Sequence, residues 1–458
     1  MADDSKKMLT GSLWKGILLF SLPLFASNLL QVLFNMTDVA VIGKFSSPEA
    51  LGAVGTTTIL VTLFTGFLIG LGNGINVLIA RYLGQRNSKN VHDALHTSFV
   101  LSIIMGIILF LLGFFFSKYL LIWLKTKDEF IDGATLYLKI YFIGMPANAL
   151  YNFGNACYSA KGNTKRPLIF LGISGIFNVG LDLLFVIAFK MSVEGVALAS
   201  IISQYISAFL LMISLMKENT NIKLIIKDIR LYDGYSHLVL SLGLPSGFQS
   251  AIFAIANLFI QSGVNSFDGG VVKGNSAAQN ADSITFNVMA AFYTACASYM
   301  SQNFGAGNQK RVKQSYLIAL VYSFLTGVIM GLFFLTLGRP FLRIFTNEEQ
   351  VVDAGYERLK IMAFSYTFSA FMDNTIAASR GIGKSFIPTI IVITGSCVFR
   401  VIWVYTIFAY FHTITFHTIT SLYLVYIFSW VITAIFQIAY FLYAYKRELK
   451  KGNDGGSC

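Results

Sequence analysis

Asn28, Gln31, Asn35 and Asp38 fall at i, i+3, i+7 and i+10 of one long apolar run. On a helix turning about 100° per residue they share an arc of about 80°, a polar stripe on an otherwise apolar rod. Farther along, Asn178 and Asp182 are i, i+4 neighbours, so their side chains share a face. Ser200, Ser203 and Gln204 mark the next run. Asn148, Asn152 and Asn155 form a stripe in an earlier one, with Tyr137 and Tyr141 near its start. Two carboxylates with a set of neutral oxygens suit one of two tasks. Close carboxylates cannot both ionise without cost, so one can hold a proton near neutral pH. The same oxygens suit a hard monovalent cation, and residue types leave the choice open. A charge at bilayer depth costs roughly 2.5–3.5 kcal/mol on insertion scales, so Asp38 and Asp182 are expected to be functional.

The second half of the chain is built differently. Asp373 and Arg400 lie in successive apolar runs with opposite charge, which suits either a structural ion pair or a functional site. Asp282 falls near the end of its run, where water would solvate it, and Gln249, Asn257 and Gln261 bring no acid. Other chemistries lack their signatures. Cys157, Cys296, Cys397 and Cys458 show no metal or redox spacing and are expected to pack. His92, His96, His237, His412 and His417 fall in connections or at run ends. His92 and His96 stand four apart, but no third ligand is evident, and no transition-metal site is expected. Gly70, Gly72 and Gly74 suit close helix packing, since no strand precedes them as a dinucleotide loop requires. With no HExxH, Walker A, nucleophile elbow or EF-hand pattern, no enzymatic activity and no cofactor are expected. Any uphill transport would then draw on an ion gradient.

A membrane must position these residues. Of 458 residues 55% are apolar and only 12% charged, and mean hydropathy is +0.66. Soluble domains average about 25% charged residues. The net charge of +12 would suggest nucleic acid in a soluble protein. Here the basic residues sit mostly in short connections between apolar runs, so no nucleic-acid partner is expected. Runs able to cross a ~30 Å hydrocarbon core at ~1.5 Å per residue lie near 13–40, 51–80, 94–117, 131–158, 167–189, 194–216, 238–265, 276–303, 316–338, 351–379, 387–410 and 419–445. They are continuous, not alternating, which predicts twelve transmembrane helices. The first run exceeds a signal-peptide core of about 7–15 residues and is expected to be retained as a span.

The N-terminus, every second connection and the C-terminal tail hold most of the Lys and Arg outside the spans, which predicts both termini in the cytoplasm. The chain also repeats itself at a shift of about 221 residues. Leu83-Gly84 with Asn87, Lys89 and Val91 returns as Phe304-Gly305 with Asn308, Lys310 and Val312. Leu138-Lys139-Ile140 returns as Leu359-Lys360-Ile361, Pro23 matches Pro245, and Pro167 matches Pro388. Lys161-Gly162 echoes Arg380-Gly381 with a small change of spacing. Six spans per copy make the repeats parallel, an arrangement of secondary transporters with the substrate path between lobes. The expected organisation is an N-terminal six-helix lobe at 1–216, an inter-lobe cytoplasmic loop at 217–237, a C-terminal six-helix lobe at 238–445 and a cytoplasmic tail at 446–458.

Taken in order, Pro23 with Asn35 to Asp38 and Gly43, Asn178 with Asp182, and Arg380-Gly381-Ile382-Gly383-Lys384 before Pro388 carry a family resemblance. Over essentially the whole chain the sequence resembles the multidrug and toxic compound extrusion (MATE) transporters. The resemblance implies an all-α, two-lobe bundle in a bacterial cell membrane that exports organic cations or drugs in exchange for protons or sodium. In its DinF-like branch, the resemblance implies a cation site at Asp38, Asn178, Asp182 and Ser200, with Tyr137 in the same network. The NorM-like branch uses a seventh-span Glu and a tenth-span Asp. This chain has no seventh-span acid, and Asp373 is displaced from the matching position, so an N-lobe mechanism is expected. Asn28, Gln31, Asn35, Asn148 and Asn152 are the expected substrate-cavity residues, Pro23 the expected hinge, and a monomer in the bilayer the expected state. Two rivals stay open: a flippase of lipid-linked substrates, which would need a cavity lined with cations, and a membrane-embedded enzyme.

Overall fold

The computed structural model describes residues 4–414 and 419–453; Cys458 and His417 lie outside the described residues, as does the end of the expected tail. Among the described residues there is no strand. After a short helix at Asp4–Thr10, the first six spans are Leu13–Phe45, Pro48–Gly84, Ser88–Trp123, a pair of pieces at Asp128–Ile143 and Met145–Lys161, Lys165–Leu183 prolonged by a π turn at Leu184–Ala188, and Val193–Met216. The second six are Tyr235–Val264, Gly269–Gly305, Gln309–Leu342, Glu349–Gly381, a segment from Phe386 to Ile414 interrupted by two π turns, and Thr420–Asn453. The protein is therefore an all-α membrane protein of twelve spans in two six-helix repeats.

Nine of the described helices are long and apolar enough to cross a membrane on their own composition. The other three spans depart for identifiable reasons. The fourth breaks at Gly144, where Pro146 in the next turn has no N–H to donate. A Cβ on Gly144 would lie 2.6 Å from Gln204 Oε1 of the sixth span, so the break also admits that neighbour. The eighth and tenth are polar, but their Asn275, Gln302, Asn303, Arg358, Ser365, Ser369 and Asn374 are all buried within the protein. Lipid-facing positions need apolar side chains; helix-facing positions need only partners.

The repeat is visible in backbone geometry. Asn87 caps the third span, its Oδ1 accepting from Asn90 N–H at 3.1 Å, and Asn308 caps the ninth, accepting from Arg311 N–H at 3.3 Å. Arg86 and Gly307, one residue earlier in each copy, both have positive φ, 55° and 72°. Gly162 (φ 93°) is matched by Gly383 (φ 83°), each ending a helix before its proline. This corrects the sequence alignment: the partner of Gly162 is Gly383, not Gly381, and no change of spacing is needed.

The chain packs as two compact units. One takes the residues before Lys7 together with Leu22–Ala251, the other Lys7–Ser21 and the chain from Ile252 onward. The first helix runs unbroken through Pro23, and Ser27 Oγ donates to the Pro23 carbonyl at 2.9 Å. In the first unit the second span lies against the start of the seventh. A Cβ on Gly70 would stand 2.5 Å from Gly247 N, and one on Gly74 would overlap the Gly243 backbone, so these glycines set helix contact as expected.

Candidate functional site

The first unit holds a cavity of about 180 Å³ walled by five of its spans, the first, second, fourth, fifth and sixth. Gln31, Asn35 and Asp38 reach it from the first span, Asn148 and Asn152 from the second piece of the fourth, Asn178 from the fifth and Ser200 from the sixth. The i, i+3/i+4 spacings that define each stripe bring these residues to one face per helix, and the fold turns those faces inward. Ser200 Oγ donates to Asp38 Oδ2 at 2.8 Å. Asn152 Nδ2 donates to the Asn148 carbonyl at 2.9 Å and to its Oδ1 at 2.7 Å. A Cβ on Gly175 would overlap the Phe34 ring, so only glycine there lets that ring wall the cavity.

The neighbours of the Asp38 carboxyl are Asp182, Ser200 and Asn178. Asp182 is fully buried, and both its carboxyl oxygens lack a hydrogen-bond donor, as does Asp38 Oδ1. Two buried carboxyls are thus neighbours, with the Ser200 hydroxyl donating to one of them and the Asn178 amide beside it. Buried acceptors of this kind are satisfied by water, by a proton or by a cation. The fifth span leaves α geometry for its π turn just beyond Asp182; π turns are frequent at functional sites.

The other expected residues divide. Tyr137 is buried, stacked on Tyr141 at 5.8 Å and within electrostatic reach of Asp38 and Asp182, but it does not line the cavity; Tyr141 does. Asn28 is not among the lining residues. Thr62, Thr65, Ser174 and Tyr151 line it and were not singled out from sequence. Thr62 and Thr65, at i, i+3, were a detectable stripe. Ser174 and Tyr151 had no pattern to mark them.

In the second unit the sequence reading of Asp282 needs correction. Asp282 is buried, not solvated. Arg358 binds its Oδ2 through Nε at 3.2 Å and Nη2 at 2.5 Å, and the Tyr366 hydroxyl donates to Oδ1 at 2.5 Å. Asn275 Oδ1 takes Arg358 Nη1 at 2.7 Å, and Tyr423 and Tyr426 cover the guanidinium at 5.0 and 5.3 Å. A charge pair between helices 76 residues apart leaves no local signal. Arg400, for its part, does not pair with Asp373. It donates to Asn257 Oδ1 at 3.1 Å and Ser429 Oγ at 3.3 Å, with the rings of Phe253, Tyr426 and Trp430 around it. Asp373 is half-buried.

Where the inter-lobe connection meets the third span, the structure supplies what sequence did not. Asp228 reaches the His92–His96 pair, its Oδ2 standing 3.0 Å from His92 Nε2. Nearby, Glu218 accepts from Lys161 at 2.8 Å, Arg166 at 2.5 Å and Tyr158 at 3.3 Å. Burial opposes its ionisation, but these donors and cations outweigh that and hold the Glu218 carboxyl below the usual range.

Comparison with known proteins agrees with the duplicated architecture. The MatE family profile matches residues 23–184 and again 245–406. The "Probable multidrug resistance protein YpnP" of Bacillus subtilis is 33% identical, over 81% of this chain and 83% of its own. The "Probable multidrug resistance protein NorM" of Thermotoga maritima is 25% identical over 82% of each. A MOP superfamily transporter from Pyrococcus furiosus superposes with a TM-score of 0.89 at 22% identity, covering 98% of this chain and 99% of that one. At that identity the superposition speaks for the fold.

Proposed function

The chain belongs to the MatE family, and we propose on that premise that it is an efflux antiporter of organic cations or drugs. The observation that carries the reading is the pair of buried carboxyls, Asp38 and Asp182, with three unpaired acceptor oxygens at the edge of a cavity of mixed polar and apolar lining. A cation neutralises such a pair. Asp38 is the one charged residue among the described lining residues, which include no Lys or Arg. That favours a cationic guest over a lipid-linked pyrophosphate.

The coupling ion, H⁺ or Na⁺, is held by Asp38 and Asp182 with Asn178, Ser200 and the nearby Tyr137, in the manner of the DinF-like branch. A cationic drug and that ion compete for the same negative site. Binding of the ion repacks the first span about Pro23 and closes the drug's route inward. This requires the ion to favour one access state over the other, since equal affinity shifts nothing. Gln31, Asn35, Asn148 and Asn152 contact the drug. The protein works as a monomer in the cell membrane with both termini cytoplasmic, its lobes being the two repeats on either side of the 217–237 connection.

The test is ethidium efflux from cells lacking their own pumps, with sodium and proton gradients collapsed separately. Efflux should die with one gradient and survive loss of the other. Efflux that outlives both would overturn ion coupling, and no efflux under any gradient would overturn the organic-cation reading.

A further inference from the structure

His92 and His96 lie one turn apart near the start of the third span, and Asp228 sits in the 3-10 turn Ile226–Asp228 of the connection between the repeats. One ligand atom from each falls within 4.8 Å of the other two. The orientation of the rings is what separates this cluster from a chance meeting of polar groups. His92 Nδ1 is bonded to the Asp93 carboxylate at 3.0 Å, and His96 Nδ1 to the His92 carbonyl at 2.7 Å. Those are the outer partners that metal-ligating histidines keep, a carboxylate or a backbone carbonyl on the far nitrogen, fixing tautomer and ring angle. With each Nδ1 so engaged, Nε2 of both rings is the ligating nitrogen. His92 Nε2 already stands 3.0 Å from Asp228 Oδ2. Zn²⁺ holds N and O ligands at about 2.0–2.2 Å, which places tetrahedral donors about 3.3–3.6 Å apart.

We propose that His92, His96 and Asp228 form a site for a divalent transition-metal ion, Zn²⁺ by ligand type, that fastens the inter-repeat connection to the third span. Two imidazoles and a carboxylate leave a fourth position for water. Asp93 orients His92 and does not ligate. In the structure His96 Nε2 accepts the Ile225 N–H at 3.0 Å, and Tyr232 N–H donates to Thr97 Oγ1 at 3.0 Å. Metal binding replaces the Ile225 contact at His96 and the proton between His92 and Asp228. The connection then switches from a hydrogen-bonded attachment to a coordinated one. Tyr232, edge-on to His92 at 5.8 Å, covers the site, and its hydroxyl donates to the Asp228 carbonyl at 3.2 Å, bracing that ligand's backbone.

The test uses the full-length protein purified without a polyhistidine tag and stripped by chelator. Zn²⁺ titration by calorimetry should give one ion per chain, and Co²⁺ should give the visible absorption of a tetrahedral N/O site. H92A, H96A and D228N should each abolish the Co²⁺ signal, and D93N should weaken Zn²⁺ by about 10–100-fold, the usual effect of losing an outer partner. Binding that survives both H96A and D228N overturns the proposal. Hydrogen exchange on the wild-type protein keeps the test decisive should a variant fail to fold: Zn²⁺ must slow exchange in residues 222–235. Unchanged exchange with saturating Zn²⁺ means an attachment held by hydrogen bonds alone, and the metal site is rejected.

Discussion

Asp38 and Asp182 sit in one buried site with a single side-chain hydroxyl, Ser200, donating to the pair among the hydrogen bonds described. Removing a charge from such a site relieves the fold while disabling the coupling. D38N and D182N should each reduce ethidium efflux to background, and neither should lower the melting temperature of the purified protein. A variant that melted several degrees lower with efflux intact would mark these carboxyls as structural. Glu218 is the opposite case, a carboxylate stabilised by Lys161 and Arg166. Because its value in the folded protein lies below that of the unfolded chain, its contribution is complete above about pH 4.3, the unfolded value for Glu. It is lost as pH falls through the lower folded value. Melting temperature measured against pH should therefore fall less steeply on the acid side in E218Q than in the wild type.

At the scale of the helix, the polar residues of the eighth and tenth spans are held by one another. Arg358, 2% exposed, depends on Asp282, Asn275 and two tyrosine rings. Leaving one buried charge without its partner costs about 3–5 kcal/mol, whereas replacing both by apolar groups of similar volume is often neutral. D282N and R358M should each lower the melting temperature markedly, and D282L/R358M should recover most of the loss. The glycine contacts of the second span set two effects against each other. Gly→Ala gains up to about 1 kcal/mol of helix propensity, while overpacking costs about 1–3 kcal/mol. At Gly74 the added Cβ meets the Gly243 backbone, which no rotamer change can relieve, so G74A should destabilise. G172A, with nothing within 4 Å of its Cβ, is the control and should be neutral or stabilising. Equal melting temperatures for the two variants would remove the packing argument.

Over the whole molecule, the duplication decides what can be transferred from one half to the other. The caps at Asn87 and Asn308 and the left-handed turns at Gly162 and Gly383 recur because they end and begin helices in both repeats. The buried carboxylates do not recur: Asp38 and Asp182 have one environment, Asp282 with Arg358 another. The two copies thus share a scaffold and differ in the groups it presents. The first turns of the first helix and the N-terminal half of the seventh each group apart from the rest of their helix, the change falling at Leu22 and at Ile252.

Composition, run length and periodicity by themselves determined that this is a helical membrane protein, that it is duplicated, and that Gln31, Asn35 and Asp38 share a face with business inside the bundle. Those features follow from local chemistry. A bilayer demands about 20 apolar residues per crossing, and a helix repeats its faces every 3.6 residues. Which faces meet is a different question, decided by packing between segments far apart in sequence. Ser200 on Asp38, Asp282 on Arg358 and Asp228 beside His92 join residues 162, 76 and 136 positions apart. Sequence placed Asp228 in a loop and Asp282 at a helix end, where water is the default partner. Only the tertiary structure could put an arginine beside one and two imidazoles beside the other, because a side chain's surroundings are set by neighbouring helices and not by its own.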